Sequence, residues 1–107
     1  MATVIRGPQD ERVLTVKQAL DAFEASHAGA DASLYRQNQG SIRVRVIDRR
    51  FEGMTRSRRH DEVWGYLNDQ IKDDSIEDVS MLLLLAPQEQ KNSMANLEFE
   101  DPIPSHL

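Results

Sequence analysis

The sequence contains no cysteine in its 107 residues. This excludes disulfides, thiolate nucleophiles and any cysteine-ligated zinc or iron–sulfur site built from this chain alone. A small protein without such staples must hold together by packing, which suits a reducing cytoplasm. Long hydrophobic runs are missing too. The longest, Met81 to Pro87, falls far short of the ~20 apolar residues of a membrane helix. No apolar stretch of signal-peptide length follows Met1. The expectation is a cytoplasmic protein without membrane contact.

Signs of an active site are equally sparse. His27, His60 and His106 are dispersed, with no His-x-x-x-His or similar ligand spacing. No serine sits in a nucleophile elbow. Asp73, Asp74, Glu77 and Asp78 lack the glycine and regular spacing of a calcium loop and read as a solvated acidic turn. The chain is expected to be no enzyme, with no catalytic residue, no metal site and no cofactor bound by this chain alone.

The hydrophobic fraction is 39% and the mean hydropathy −0.58. Such a chain closes a core only if part of it stays outside. The core is expected within residues 13–87. Residues 1–12 read as a flexible arm, residues 13–89 as the domain, and residues 90–107 as an acidic tail, disordered or packed on the surface.

Charge is unevenly spread. The net charge is −5, yet Arg36, Arg43, Arg45, Arg49, Arg50, Arg56, Arg58 and Arg59 form a basic belt opposed there by Asp48 and Glu52. From Asp61 onward the balance reverses. The belt could meet phosphates or an acidic partner, or pair with nearby carboxylates.

Thr15 with Gln18 makes a capping box, with Leu14 stapling onto Ala19, and opens a helix carrying Val16, Ala19, Leu20 and Phe23 on one face. It runs to about His27, where Gly29 ends it. Residues 32–37 form a weak strand, and Asn38-Gln39-Gly40 a turn in which Gly40 is free to take a positive φ. Ile42, Val44 and Val46 then alternate with Arg43 and Arg45, the mark of a half-buried strand. A second helix begins near Thr55, its stripe being His60, Val63, Trp64, Leu67 and Ile71. Gly65 inside it suggests a close approach to a neighbour. Val79 to Ala86 is a last strand, parallel to the one before.

The expected fold is α+β, a two-layer α/β sandwich of order α-β-β-α-β, with a three-stranded mixed sheet and helices on one face. Both faces of the last strand are apolar: Met81, Leu83 and Leu85 on one, Leu82 and Leu84 on the other. The face without helices therefore calls for a cover, either the tail or a second subunit, so a homodimer is one expectation.

The segment from Phe51 to Trp64 carries more specific information. It runs Phe51, Gly53, Thr55, then Arg59-His60 opening a helix with Val63 and Trp64. This resembles the BolA family, whose tyrosine is replaced by Trp64. Arg43 to Ile47 resembles that family's second strand, and Leu85 to Glu89 the end of its closing strand. The resemblance covers about residues 13–89. Each piece also has a purely structural meaning: Phe51 as a buried anchor, Gly53 as a turn, and Arg59 and His60 as supports of the helix start.

The resemblance implies a class II KH-like fold and two activities. One is partnership with a monothiol glutaredoxin around a shared iron–sulfur cluster, in iron or redox homeostasis. Arg59, His60 and Asp78 would then face the partner. The other is transcription regulation or nucleic-acid binding, for which Arg43, Arg45, Arg56, Arg58 and Arg59 are the candidates, with Tyr35 and Tyr66 available for stacking. Cluster-binding members place a histidine where Asp78 stands, and a histidine or cysteine in the hairpin loop, whereas Tyr35 to Ser41 has neither. A carboxylate is a hard ligand, poorly matched to a thiolate-rich cluster. KH domains grip backbone with a Gly-x-x-Gly loop, and this sequence contains none.

Overall fold

A computed structural model describes residues 1–100. Strand β1 (Thr3–Arg6) leads into helix α1 (Glu11–Ser26), and strands β2 (Asp31–Asn38) and β3 (Ser41–Ile47) form a hairpin. Helix α2 (Arg56–Gln70) follows, then strand β4 (Val79–Leu85) and a short helix α3 (Leu97–Glu100). Short 3-10 segments occupy Arg49–Phe51, Asp74–Asp78 and Pro87–Asn92. The fold is mixed α+β, with a four-stranded sheet in the order β1-β2-β3-β4. β1 pairs parallel with β2, β2 antiparallel with β3, and β3 parallel with β4.

The sheet thus has four strands, one more than the sequence suggested. The extra strand lies in the segment read as a flexible arm. At 4 residues, β1 is too short to display a period, yet Ala2, just before it, is 3% exposed and belongs to the core. The start of α1 also moves. Asp10, not Thr15, is its N-cap, accepting from the Val13 amide at 3.0 Å. Thr15 lies inside the helix and its Oγ1 donates to the Glu11 carbonyl. An upstream carboxylate that caps and pairs outcompetes a capping box one turn later.

The hairpin and second helix follow expectation with two differences, at Gly40 and Gly65. Gly40 has no positive φ; its amide instead donates to Asn38 Oδ1. Gly53 does take φ +80°, which lets Phe51 turn fully inward ahead of the Thr55 cap. Gly65 is exposed, and a Cβ there would meet nothing within 4 Å, so no neighbour requires it.

α1 and α2 cover one face of the sheet. Val16, Leu20 and Phe23 of α1, Val63 and Leu67 of α2, and Ile42, Val44 and Val46 of β3 are all 0% exposed and belong to one cluster. Burial of each such side chain contributes about 1.5–3 kcal/mol. Trp64, expected in the core, is only half-buried against its edge.

The second face carries Tyr35, Arg45, Ile47 and Leu85, all buried. Its cover is the chain itself, from Pro87 to Glu100. Phe99 meets Tyr35 edge to face at 5.3 Å, and Asn96 is buried on Arg45. Asn96 and Phe99 of the tail are therefore packed against this face. Residues 101–107 lie outside the described residues. Among those described, no helix is long and apolar enough to cross a membrane.

Candidate functional site

The residues singled out in the sequence gather at the two ends of β4. At ~3.3 Å per residue, a strand of 7 residues keeps those ends roughly 20 Å apart. Arg59 and Asp78 are not brought together.

At the N-terminal end, Asp78 is held by two arginines. Its Oδ1 accepts from Arg12 Nη1 at 2.8 Å and its Oδ2 from Arg36 Nη2 at 3.0 Å. Arg36 also binds Asp10 through Nε and Nη2, and donates to the carbonyls of Asn38 and Gln39 at 3.0 Å. Arg12 reaches Asp74 at 3.0 Å. Pairing with Arg36 holds the Asp10 carboxyl below its ordinary range, and these carboxylates push both guanidinium groups upward. The network joins the start of α1, the hairpin turn and the start of β4. Above it lies an open pocket of about 740 Å³ lined by Asp10, Glu11, Arg12, Arg36, Gln39 and Asp78.

This pocket unites the two positions where the family resemblance would put cluster ligands: the hairpin turn and the residue before β4. The residues present do not fit an iron–sulfur cluster. Gln39 offers an amide, and both Asp78 oxygens are taken by guanidinium groups. Freeing Asp78 to bind metal would break two ion pairs, leaving Arg12 to Asp74 and Arg36 to Asp10. Among the described residues, no three of His, Asp and Glu are grouped to hold a metal ion. The acidic turn is better described as the carboxylate half of an ion network than as a solvated turn.

At the C-terminal end, Arg59 is 5% exposed. Its Nε donates to the Met54 carbonyl at 3.1 Å and its Nη1 to the Leu84 carbonyl at 3.1 Å. Both terminal nitrogens bind Glu89, at 2.6 and 3.0 Å, and Glu89 Oε1 also accepts from the Ala86 amide. The Arg59 hydrogen bonds, with that of Ala86, bring the Glu89 carboxyl down to about 2. Arg59 is thus a clamp joining α2, β4 and the following turn.

His60, placed on the buried stripe by its spacing, is exposed and stacks on Trp64 at 5.9 Å. Both residues can share a face with Val63, being three and four positions before it. Carbonyls and a carboxylate distant in sequence give the inward place to Arg59. Beside the clamp runs a groove of about 570 Å³, walled by Arg56, Ser57 and His60 on one side and by Asn92 to Ala95 on the other.

The other arginines divide clearly. Arg45, read as lying on an uncovered face, is 9% exposed and donates to Asn96 Oδ1 at 2.7 Å and Glu100 Oε1 at 2.8 Å. Arg43 donates to the Tyr35 hydroxyl at 3.2 Å. Arg50 pairs with Asp48 and Glu62. Arg56 and Arg58 stand exposed at the start of α2, with no ion pair among the described residues. Tyr66 packs on Phe23 and His27.

Asp10, Arg12 and Glu89 were not singled out from the sequence. Their partners lie up to 66 positions away, and no local pattern announces such pairs. Comparison of the chain with protein-family models, curated proteins and solved structures gives no match.

Proposed function

We propose that the chain is a non-enzymatic, BolA-like interaction module whose partner is a monothiol glutaredoxin-type protein, acting in iron or redox homeostasis or a related regulatory role. The observation that carries the reading is the meeting of Gln39 and Asp78 in one open pocket. The resemblance of Phe51 to Trp64 directs a partner to those two positions. With Asp78 held by Arg12 and Arg36, the partner docks on an ordered charged surface, and any cluster is ligated without this chain.

The alternative is a KH-like nucleic-acid-binding or transcription-regulating domain. Of its five candidate arginines, Arg45 and Arg59 are buried in ion pairs, while Arg56 and Arg58 are exposed. The reading thereby loses much of its charge, and overall acidity weakens it further.

The test is a titration of the isotope-labelled protein, read by amide chemical shifts, with a monothiol glutaredoxin in apo and cluster-loaded forms. Shifts at Gln39, Asp78 and Arg12 with both forms are expected. Dependence on the cluster would point to ligation by this chain and against the docking described. Silence with glutaredoxin, together with salt-sensitive shifts at Arg56 and Arg58 on adding nucleic acid, would favour the alternative.

A further inference from the structure

We propose that the outer edge of β4, near its C-terminal end, is a docking groove for an extended acidic peptide segment of a partner protein, which adds to the sheet as a further strand. The groove lies at the opposite end of β4 from the Asp78 pocket, and the proposal does not rest on the glutaredoxin reading.

Backbone direction comes first. β4 ends the sheet order, so one edge has no strand beside it among the described residues. The Leu85 carbonyl accepts from the Asp48 amide, which follows β3, and therefore faces into the sheet. The Leu84 carbonyl accepts from Arg59 of α2 and therefore faces out. Alternation along a strand then turns the Leu82 amide and carbonyl outward as well. These groups are what an added strand pairs with.

In its second half the edge lacks two of the features that normally blunt one. Met81 to Leu85 contains no charge and no proline. Leu82 and Leu83, on opposite faces, are both half-buried and flank the positions an added strand's alternate side chains would take.

Charge and shape select the occupant. The ionisable residues lining the groove are Arg56, Arg59 and His60. Arg59 is paired with Glu89, a carboxylate that also feels Arg56, so the two guanidinium groups outnumber it, with Arg58 exposed nearby. On a protein of net charge −5 this local basic edge favours a carboxylate-bearing segment. A second copy of β4 is a poorer fit. The β3–β4 register breaks between Ile42 and Arg43, where Ser80 is the extra residue. Such a bulge limits regular pairing to the second half of the strand. That length suits a short peptide better than two full strands in antiparallel register.

The probe is a short fluorescein-labelled peptide of alternating valine and glutamate, titrated into the full-length isotope-labelled protein. Saturable binding is expected, with shifts at the Leu82 and Leu84 amides and slowed hydrogen exchange at Leu82. Replacing glutamate by lysine in the peptide, or Arg56→Glu in the protein, should weaken binding by about tenfold or more. Methylating the peptide's alternate backbone nitrogens should abolish it. Equal binding of the lysine or methylated peptide, shifts confined to other surfaces, or no binding would overturn the proposal. So would a stable dimer whose Leu82 amide is already protected.

Discussion

On the helix-covered face of the sheet, Ile42, Val44 and Val46 of β3 are wholly buried in one apolar cluster with Leu20, Phe23 and Leu67. On the opposite face the same strand presents Arg43, Arg45 and Ile47 to a segment of 3-10 turn and short helix carrying Asn96, Phe99 and Glu100. The first face coheres through apolar area, with little dependence on salt or pH. The second coheres through charge pairs and one aromatic contact. It also buries Ser33 Oγ and Arg45 Nε without a hydrogen-bond partner among the described residues. One strand therefore stabilises two layers of unequal strength, and the weaker layer depends on carboxylates staying ionised.

Truncating an aromatic on the strong face gives the largest effect. Phe23→Ala should cost about 3–5 kcal/mol in chemical denaturation. A cost near that of Phe99→Ala would erase the distinction between faces. Glu89→Ala comes next, at about 3 kcal/mol, because it leaves the buried Arg59 charge unpaired. Arg59→Met should cost less, about 1–2 kcal/mol, since Glu89 is 40% exposed at its side chain and can return to water. The reverse ranking would show that the clamp's carbonyl contacts outweigh its charge.

Phe99→Ala, on the weak face, should cost about 2 kcal/mol or less and speed hydrogen exchange in residues 87–100 ahead of the rest. Acid should act on the same layer. Glu89 has an ordinary value of 4.5 and falls to about 2 in the folded chain, and Arg45 draws the Glu100 carboxyl down. Both are depressed on folding, so their contribution is full above their ordinary range and is lost as pH falls towards about 2. Exchange in residues 87–100, and at the Arg59 end of α2 that Glu89 holds, should therefore quicken on acidification before α1 responds. Uniform quickening would mean the two faces form one cooperative unit.

The smallest effects concern the helices. Asp10→Ala should cost about 1 kcal/mol through the lost cap, Thr15→Ala at most a few tenths, and Gly65→Ala should stabilise by about 1 kcal/mol, all by thermal melting. A larger loss from Thr15→Ala than from Asp10→Ala would return the helix start to the capping box.

What the sequence made legible follows from where each signal lies. β3 was readable because three β-branched residues alternate with two arginines, and a slip of one residue would bury the arginines. Phe51, Gly53 and Thr55 were readable because anchor, turn and cap each need a particular side chain at close spacing. β1 was not: 4 residues cannot show a period, and its pairing with β2 is decided across α1. The two apolar faces of the last strand called for a cover, and Phe99 forms part of it, but its place over Tyr35 depends on contacts far apart in sequence. The sites were less legible than the fold. Spacing could not tell Arg59 from His60, and nothing local linked Arg12 and Arg36 to Asp78.

The spatial order of the strands equals their order in the chain. No strand must be inserted between two others already paired, so the sheet can be laid down in one direction as the polypeptide leaves the ribosome. The β2–β3 hairpin can close early on local contacts. β4 arrives last, and it carries the longest apolar run. A nascent chain that stops before residue 79 therefore presents β3 as an open edge, with Val44 and Val46 lacking their neighbours Leu82 and Leu84. For this protein, the interval between synthesis of β3 and synthesis of β4 is the period of greatest exposure to chaperones and to other unfinished chains.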